Sequence, residues 1–358
     1  MSVSHNANPA HVTRTLYLHS GPLKTGSTAI QAFFRENADI FRRQELYWPV
    51  TGTEINGNYH RGLVAAFVPG HATASLTAKL EDELRQEGLP EKVLVSAEMF
   101  AGRFGDPAYL GNIKSFCQRL GYHLHIIVVI RPQAPLLNSL FTQQVKIWRP
   151  VVIIDNFLKH EIATGQHHYA TLFAHALNGT GMSFTALPFN RAILSQGLGR
   201  AMCGVMELDA DAAGLREIKT VNTSPDPRTV AAFQRLRRRI SADFPQLDRE
   251  RLAALTWPIL RAADSLGWTT GKYGGFDAEQ QSRIVDHFAT ENDAFARAVW
   301  SKPWTEIFAP EEIFDPPHNV FAPETADKPA REEFRAFMKQ ALETIAEFAA
   351  AGGSQNSS

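Results

Sequence analysis

Eight consecutive residues, Gly21-Pro-Leu-Lys-Thr-Gly-Ser-Thr28, bring together what an anion needs: flexible backbone at two glycines, the hydroxyls of Thr25, Ser27 and Thr28, and the amine of Lys24. Where such a run opens a helix, exposed N–H groups and the helix dipole favour negative charge. The order departs from the nucleotide pattern GxxxxGK[ST], because Lys24 precedes the second glycine, so an ordinary ATP or GTP loop is disfavoured. A lysine placed early in the loop can reach the oxygen that joins a phosphate to a group being transferred, where charge builds as that bond breaks. Two residues elsewhere could take a proton: Glu98 in VLVSAEMF and His60 in NYHRGLV. A carboxylate or a neutral imidazole is suited to that work near neutral pH. Arg131 directly follows the apolar run HLHIIVVI, and Ser139 lies eight residues beyond it.

The elements that must position these groups follow from the pattern. Thr15 to Ser20 (TLYLHS) reads as a strand ending at Gly21, and Ile30, Phe33, Phe34, Ala38 and Phe41 recur at helical spacing after it. Thr28, with Gln31 three positions on, has the form of a capping box. Ser75 to Glu87 predicts a helix, Lys92 to Ser96 a buried strand, and Tyr109 to Leu120 a second helix. His123 to Ile130 is the strongest strand, with Pro132 placed as the first residue of the helix behind it. Met182 to Pro188 gives a fourth strand, so Glu98 and Arg131 both follow strands, on the edge where open sheets bind ligands. Strands alternating with helices imply an α/β fold, a three-layer parallel sheet. Beyond it the chain turns helical, with Arg228 to Ile240, Glu279 to Trp300 and Arg331 to Ala350 as the main segments. The expected organisation is a disordered lead over 1–13, one domain over 14–350 (an α/β core to 205, mainly helical from 206) and a flexible tail over 351–358; 221–227 and 315–330 are turn-rich.

GPLKTGST resembles the 5′-phosphosulfate loop of sulfotransferases that use 3′-phosphoadenosine-5′-phosphosulfate, commonly written GxxKTGTT. Ser27 stands for the usual threonine and keeps the hydroxyl. Arg131 and Ser139 resemble that family's 3′-phosphate element, an arginine at a strand end with a serine about two turns on. SLFTQQVK (139–146), PFNRAILSQG (188–197) and VNTS (221–224) extend the likeness to bacterial members; the C-terminal RKG motif has no clear counterpart, Lys272-Tyr-Gly-Gly275 being a loose substitute. The resemblance implies a P-loop-like nucleotide-binding core in which Gly21 and the backbone of Thr25 and Gly26, with the hydroxyls of Ser27 and Thr28, hold the 5′-phosphate. Lys24 would contact the leaving oxygen, and Arg131 and Ser139 the 3′-phosphate. Glu98 or His60 would be the base, no metal would be needed, and the acceptor would be a hydroxyl or amine on a small molecule or glycan. A P-loop phosphotransferase and a non-catalytic nucleotide-binding protein stand as alternatives.

Composition narrows the partners. With 36 Lys and Arg against 37 Asp and Glu the net charge is −1, which argues against the broad basic surface used for nucleic acid. The run RLRRR (235–239) falls on an expected helix and reads as a solvated face, with steering of an acidic polysaccharide as its other use. His167 and His168 read as structural or surface residues. Two cysteines, Cys117 and Cys203, suit a reducing compartment better than a disulfide framework. A polar N-terminus and the lack of a run of about 20 apolar residues lead to the expectation of a cytoplasmic protein with no membrane span. The acceptor's identity and the oligomeric state are not encoded in any motif.

Overall fold

The computed structural model describes residues 14–53, 59–150, 153–217, 225–268 and 271–353. The lead over 1–13, the VNTS segment and the tail beyond 353 lie outside the described residues.

Four strands have the bounds that the sequence pattern predicts: Thr15–Ser20 (β1), Lys92–Ser96 (β3), His123–Ile130 (β4) and Met182–Pro188 (β5). A two-residue strand, Leu46–Tyr47 (β2), adds an edge. The sheet is all parallel, in the order β2-β3-β1-β4-β5. From central β1 the chain moves to the β3 and β2 side, and from β4 it moves to the β5 side. The crevice between the ends of β1 and β4 is thus a topological switch point, the place where open parallel sheets bind ligands.

Period-two alternation sends Tyr17, Leu94, Ile127, Val129 and Leu187 to one face, where they meet Ile30, Phe33 and Phe34 of the helix Ser27–Glu36 and Leu198 and Met202 of the helix Leu198–Val205. Ile30 and Phe34 are fully buried, and each such side chain contributes about 1.5–3 kcal/mol. The opposite face is covered by the helix Pro107–Arg119, by the aromatic group Phe173, Phe184 and Phe295, and by Trp300, whose indole N–H donates to the Ala186 carbonyl at 2.9 Å. The three layers are therefore helix, sheet and helix.

The chain forms two compact units, one of 1–132, 165–220 and 287–312, the other of 133–164, 221–286 and 313–358. The sheet belongs to the first. The second is helical, with Gln133–Lys146, Ile154–Ala163, Pro227–Asp243, Arg249–Ser265 and Lys328–Gly353 as its main helices. Its core is aromatic: Trp148 packs on Phe233 with ring centres 4.6 Å apart, and Trp268 stacks on Phe334 at 5.9 Å. Asp226 caps Pro227–Asp243 by accepting from the Arg228 N–H. Among the described residues, no helix is long and apolar enough to cross a membrane.

Candidate anion-binding and catalytic site

The loop after β1 turns on two residues with left-handed backbone, Lys24 at φ 68° and Gly26 at φ 83°. For lysine that conformation costs about 1–3 kcal/mol, the kind of strain that persists only where surroundings impose it. The imposing contacts are visible: Arg131 Nη1 donates to the Lys24 carbonyl at 3.0 Å, and the Thr25 hydroxyl donates to the Pro22 carbonyl at 2.8 Å. Gly26 rather than Thr28 is the N-cap, so the expected capping box is corrected. Its carbonyl already accepts from the N–H groups of Ala29 and Ile30, so the helix starts at Ser27 and Thr28 lies inside its first turn. The first N–H groups of a helix have no partner within it and suit an anion.

Gly26 is also required sterically, because a Cβ built there would sit 2.4 Å from Leu198 Cδ1 and 3.3 Å from Phe189 Cε2. Left-handed backbone and this overlap together predict that Gly26→Ala costs about 2–4 kcal/mol. Urea unfolding of the two proteins measures it; a loss under about 1 kcal/mol would mean that Leu198 yields freely.

Glu98 opens a 3-10 helix, Glu98–Arg103, directly after β3, and its backbone carbonyl accepts from the Ser20 hydroxyl at 3.2 Å. Burial pushes its carboxyl above the usual range, while the Ser27 hydroxyl and the Lys24 charge pull it down. Lys24 mirrors this: burial lowers its amine, Glu98 raises it and Arg131 lowers it. Lys24 therefore senses both Glu98 and Arg131 at the start of the helix Ser27–Glu36. The Ser27 hydroxyl is almost wholly buried and close enough to bias Glu98, yet it meets hydrogen-bond geometry with no group among the described residues. A buried polar group left this way is costly unless something completes it, and an anion seated on the helix N-terminus would.

Arg131 is fixed from several sides. Its guanidinium lies 5.0 Å from the centre of the Phe189 ring, and its carbonyl accepts from the Tyr169 hydroxyl at 2.6 Å. Leu198, Phe189 and Tyr169 thus shape the site without any motif marking them. Only Phe189 stood in a segment with family resemblance. Ser139 lies partly exposed on the helix Gln133–Lys146 of the second unit, whereas Arg131 belongs to the first. That helix begins at Gln133, so Pro132 precedes it and is not its first residue.

His60 is corrected from candidate base to scaffold. Its Nδ1 accepts from the Ser96 N–H at 3.0 Å, and its Nε2 donates to the Pro49 carbonyl at 2.8 Å, so neither nitrogen is left for a substrate. Burial lowers its pKa to about 4, and the Trp48 ring lies 4.7 Å away. His19 on β1 is equally buried, with Nδ1 2.7 Å from the Ser96 hydroxyl and a pKa lowered by burial to about 4. Tyr273 is buried, and the N–H groups of Gly274 and Gly275 donate to Asn319 and Asn138 at 2.6 and 2.9 Å. Lys272-Tyr-Gly-Gly275 is thus engaged in packing within the second unit. His168 packs on His287 and Phe288, in keeping with a structural reading.

Comparisons with models of protein families, with curated proteins and with solved structures found nothing that matches this chain.

Proposed function

We propose that the chain is a sulfotransferase that moves the sulfuryl group of 3′-phosphoadenosine-5′-phosphosulfate to a hydroxyl or amine, with a carbohydrate as the favoured acceptor. The observation that carries the reading is that Lys24 senses both Glu98 and Arg131 at a helix N-terminus that also holds the buried Ser27 hydroxyl. The loop backbone from Thr25 to Thr28 with the Ser27 and Thr28 hydroxyls would hold the 5′-phosphate, and Arg131 would hold the 3′-phosphate. The acceptor oxygen or nitrogen forms a bond to sulfur while the sulfur–oxygen bond to the phosphate breaks. Glu98 takes the acceptor's proton, and Lys24 stabilises the charge left on the phosphate oxygen. A carboxyl whose pKa is raised by burial holds a proton more strongly than a solvated one, which suits a base that must accept it in the transition state.

The test is transfer of radiolabelled sulfate from the donor to a panel of sugars, amines and phenols, run in EDTA. Product formed under those conditions supports the reading. Transfer from ATP that needs Mg²⁺ would instead make the chain a phosphotransferase. Stabilisation by adenosine 3′,5′-bisphosphate with no product from any acceptor would make it a binding protein. Glu98→Gln is expected to lower kcat by about 10²- to 10⁴-fold. It should also flatten the acid side of the pH profile, since the base works only above its own pKa. A variant that keeps that acid limb would show that another group takes the proton.

A further inference from the structure

Within the second unit, a groove of about 870 Å³ runs between the helices Pro227–Asp243 and Lys328–Gly353. Six cations line it, Arg235, Arg238 and Arg239 on the first helix and Arg331, Arg335 and Lys339 on the second. In a chain of net charge −1 this is a local excess. The fold engages one of them closely, since Arg235 pairs with Glu324 and lies 5.8 Å from the centre of the Phe334 ring, while Arg239 and Lys339 make exposed pairs with Asp243 and Glu343, which are worth little. Among the described residues, no ion pair engages Arg238, Arg331 or Arg335, although Arg238 and Arg335 are exposed.

The cations do not stand alone. On the second helix the half-buried Met338 and Leu342 also line the groove, three positions after Arg335 and Lys339, while Phe334 beneath them is buried with the Arg235 guanidinium over its ring. Steps of four place the cations in a stripe about 12 Å long, and the offset of three puts Met338 and Leu342 beside it. An apolar floor therefore lies between two basic rows, contributed by different helices.

We propose that this groove docks an acidic amphipathic helix of a partner protein. Its apolar ridge would lie on Met338 and Leu342, and carboxylates on both flanks of the ridge would meet the two rows. Five of the six cations are arginines, whose planar fork matches a carboxylate. A uniformly charged polymer has no use for the apolar floor, and a flat bilayer cannot reach the bottom of a concave groove.

The experiment is fluorescence anisotropy with a labelled synthetic peptide of about 14 residues, enough for nearly four helical turns, with a leucine ridge flanked by glutamates. The comparison probes are the same composition scrambled, poly-L-glutamate, heparin and phosphatidylserine vesicles. The peptide is expected to bind at least about tenfold more tightly than the scrambled sequence or polyglutamate. Arg335→Glu, at an exposed position, and Arg331→Glu should each weaken it about tenfold, with circular dichroism and melting unchanged. Leu342→Asp should do the same. The proposal is overturned if the peptide fails to bind, if heparin, polyglutamate or vesicles bind as tightly, or if the arginine reversals change Kd by less than about twofold. None of these outcomes depends on sulfuryl transfer, so the groove and the β1 loop stand or fall separately.

Discussion

On the proposed function, Lys24→Ala is expected to lower sulfuryl transfer by about a hundredfold to a thousandfold, the loss that follows removal of one group aimed at charge developing in a transition state. Folding should survive. Alanine also carries a Cβ, so the cost of left-handed backbone at φ 68° is unchanged, and a buried amine is removed. The loop should keep its shape, because Arg131 grips the Lys24 carbonyl and not its side chain. Lys24→Gly would be a poor substitute, since it relieves the backbone strain as well as deleting the amine. The comparison is kcat with the radiolabelled donor, read beside the melting temperature. Turnover within a factor of about three of the unsubstituted protein would remove Lys24 from the chemistry.

The largest effect on stability is expected from acid. His19 and His60 are fully buried with pKa values lowered from 6.5 to about 4. In the unfolded chain both take up protons below about 6.5; in the folded chain they stay neutral until about 4. The unfolded state thus binds more protons across that interval, and stability falls as pH drops through it, by about 3 kcal/mol for each histidine, with no further loss from them below it. Together this is comparable to the whole stability of an ordinary domain. His125, also lowered to about 4 by burial, acts in the same direction. Urea unfolding between pH 7.5 and 4.5 measures the slope, and His60→Gln should reduce it. Constant stability over that range would contradict the burial of neutral imidazoles.

The strands were legible because buried parallel strands are short apolar runs bounded by turn residues, and β1, β3, β4 and β5 all have that form. β2 was not, since two residues beside Pro49 carry no period. The helix Arg249–Ser265 is masked in the sequence for another reason: Pro258 lies inside it, and proline reads as a break. At the site, the loop and the residues after β3 and β4 could be read because their places depend on local order along the chain. The role of His60 could not. It rests on the Ser96 N–H and the Pro49 carbonyl, which reach it only through tertiary packing. Gly26 outcompeted Thr28 as the helix cap for a similar reason, because its place against Leu198 and Phe189 is set by segments more than 160 residues away.

The interleaving of the two units bears on how the chain is made. Residues 133–164 leave the ribosome before β5 does, but the partners they pack with come from 221–286 and 313–358. The sheet likewise waits for 287–312. Neither unit is complete until segments of the other have emerged between its own parts, so early segments must stay unaggregated until late ones arrive. For the same reason no single cut releases either unit as one continuous polypeptide. A stop codon near residue 320 would leave the sheet's own segments whole and deprive the helical unit of its last long helix.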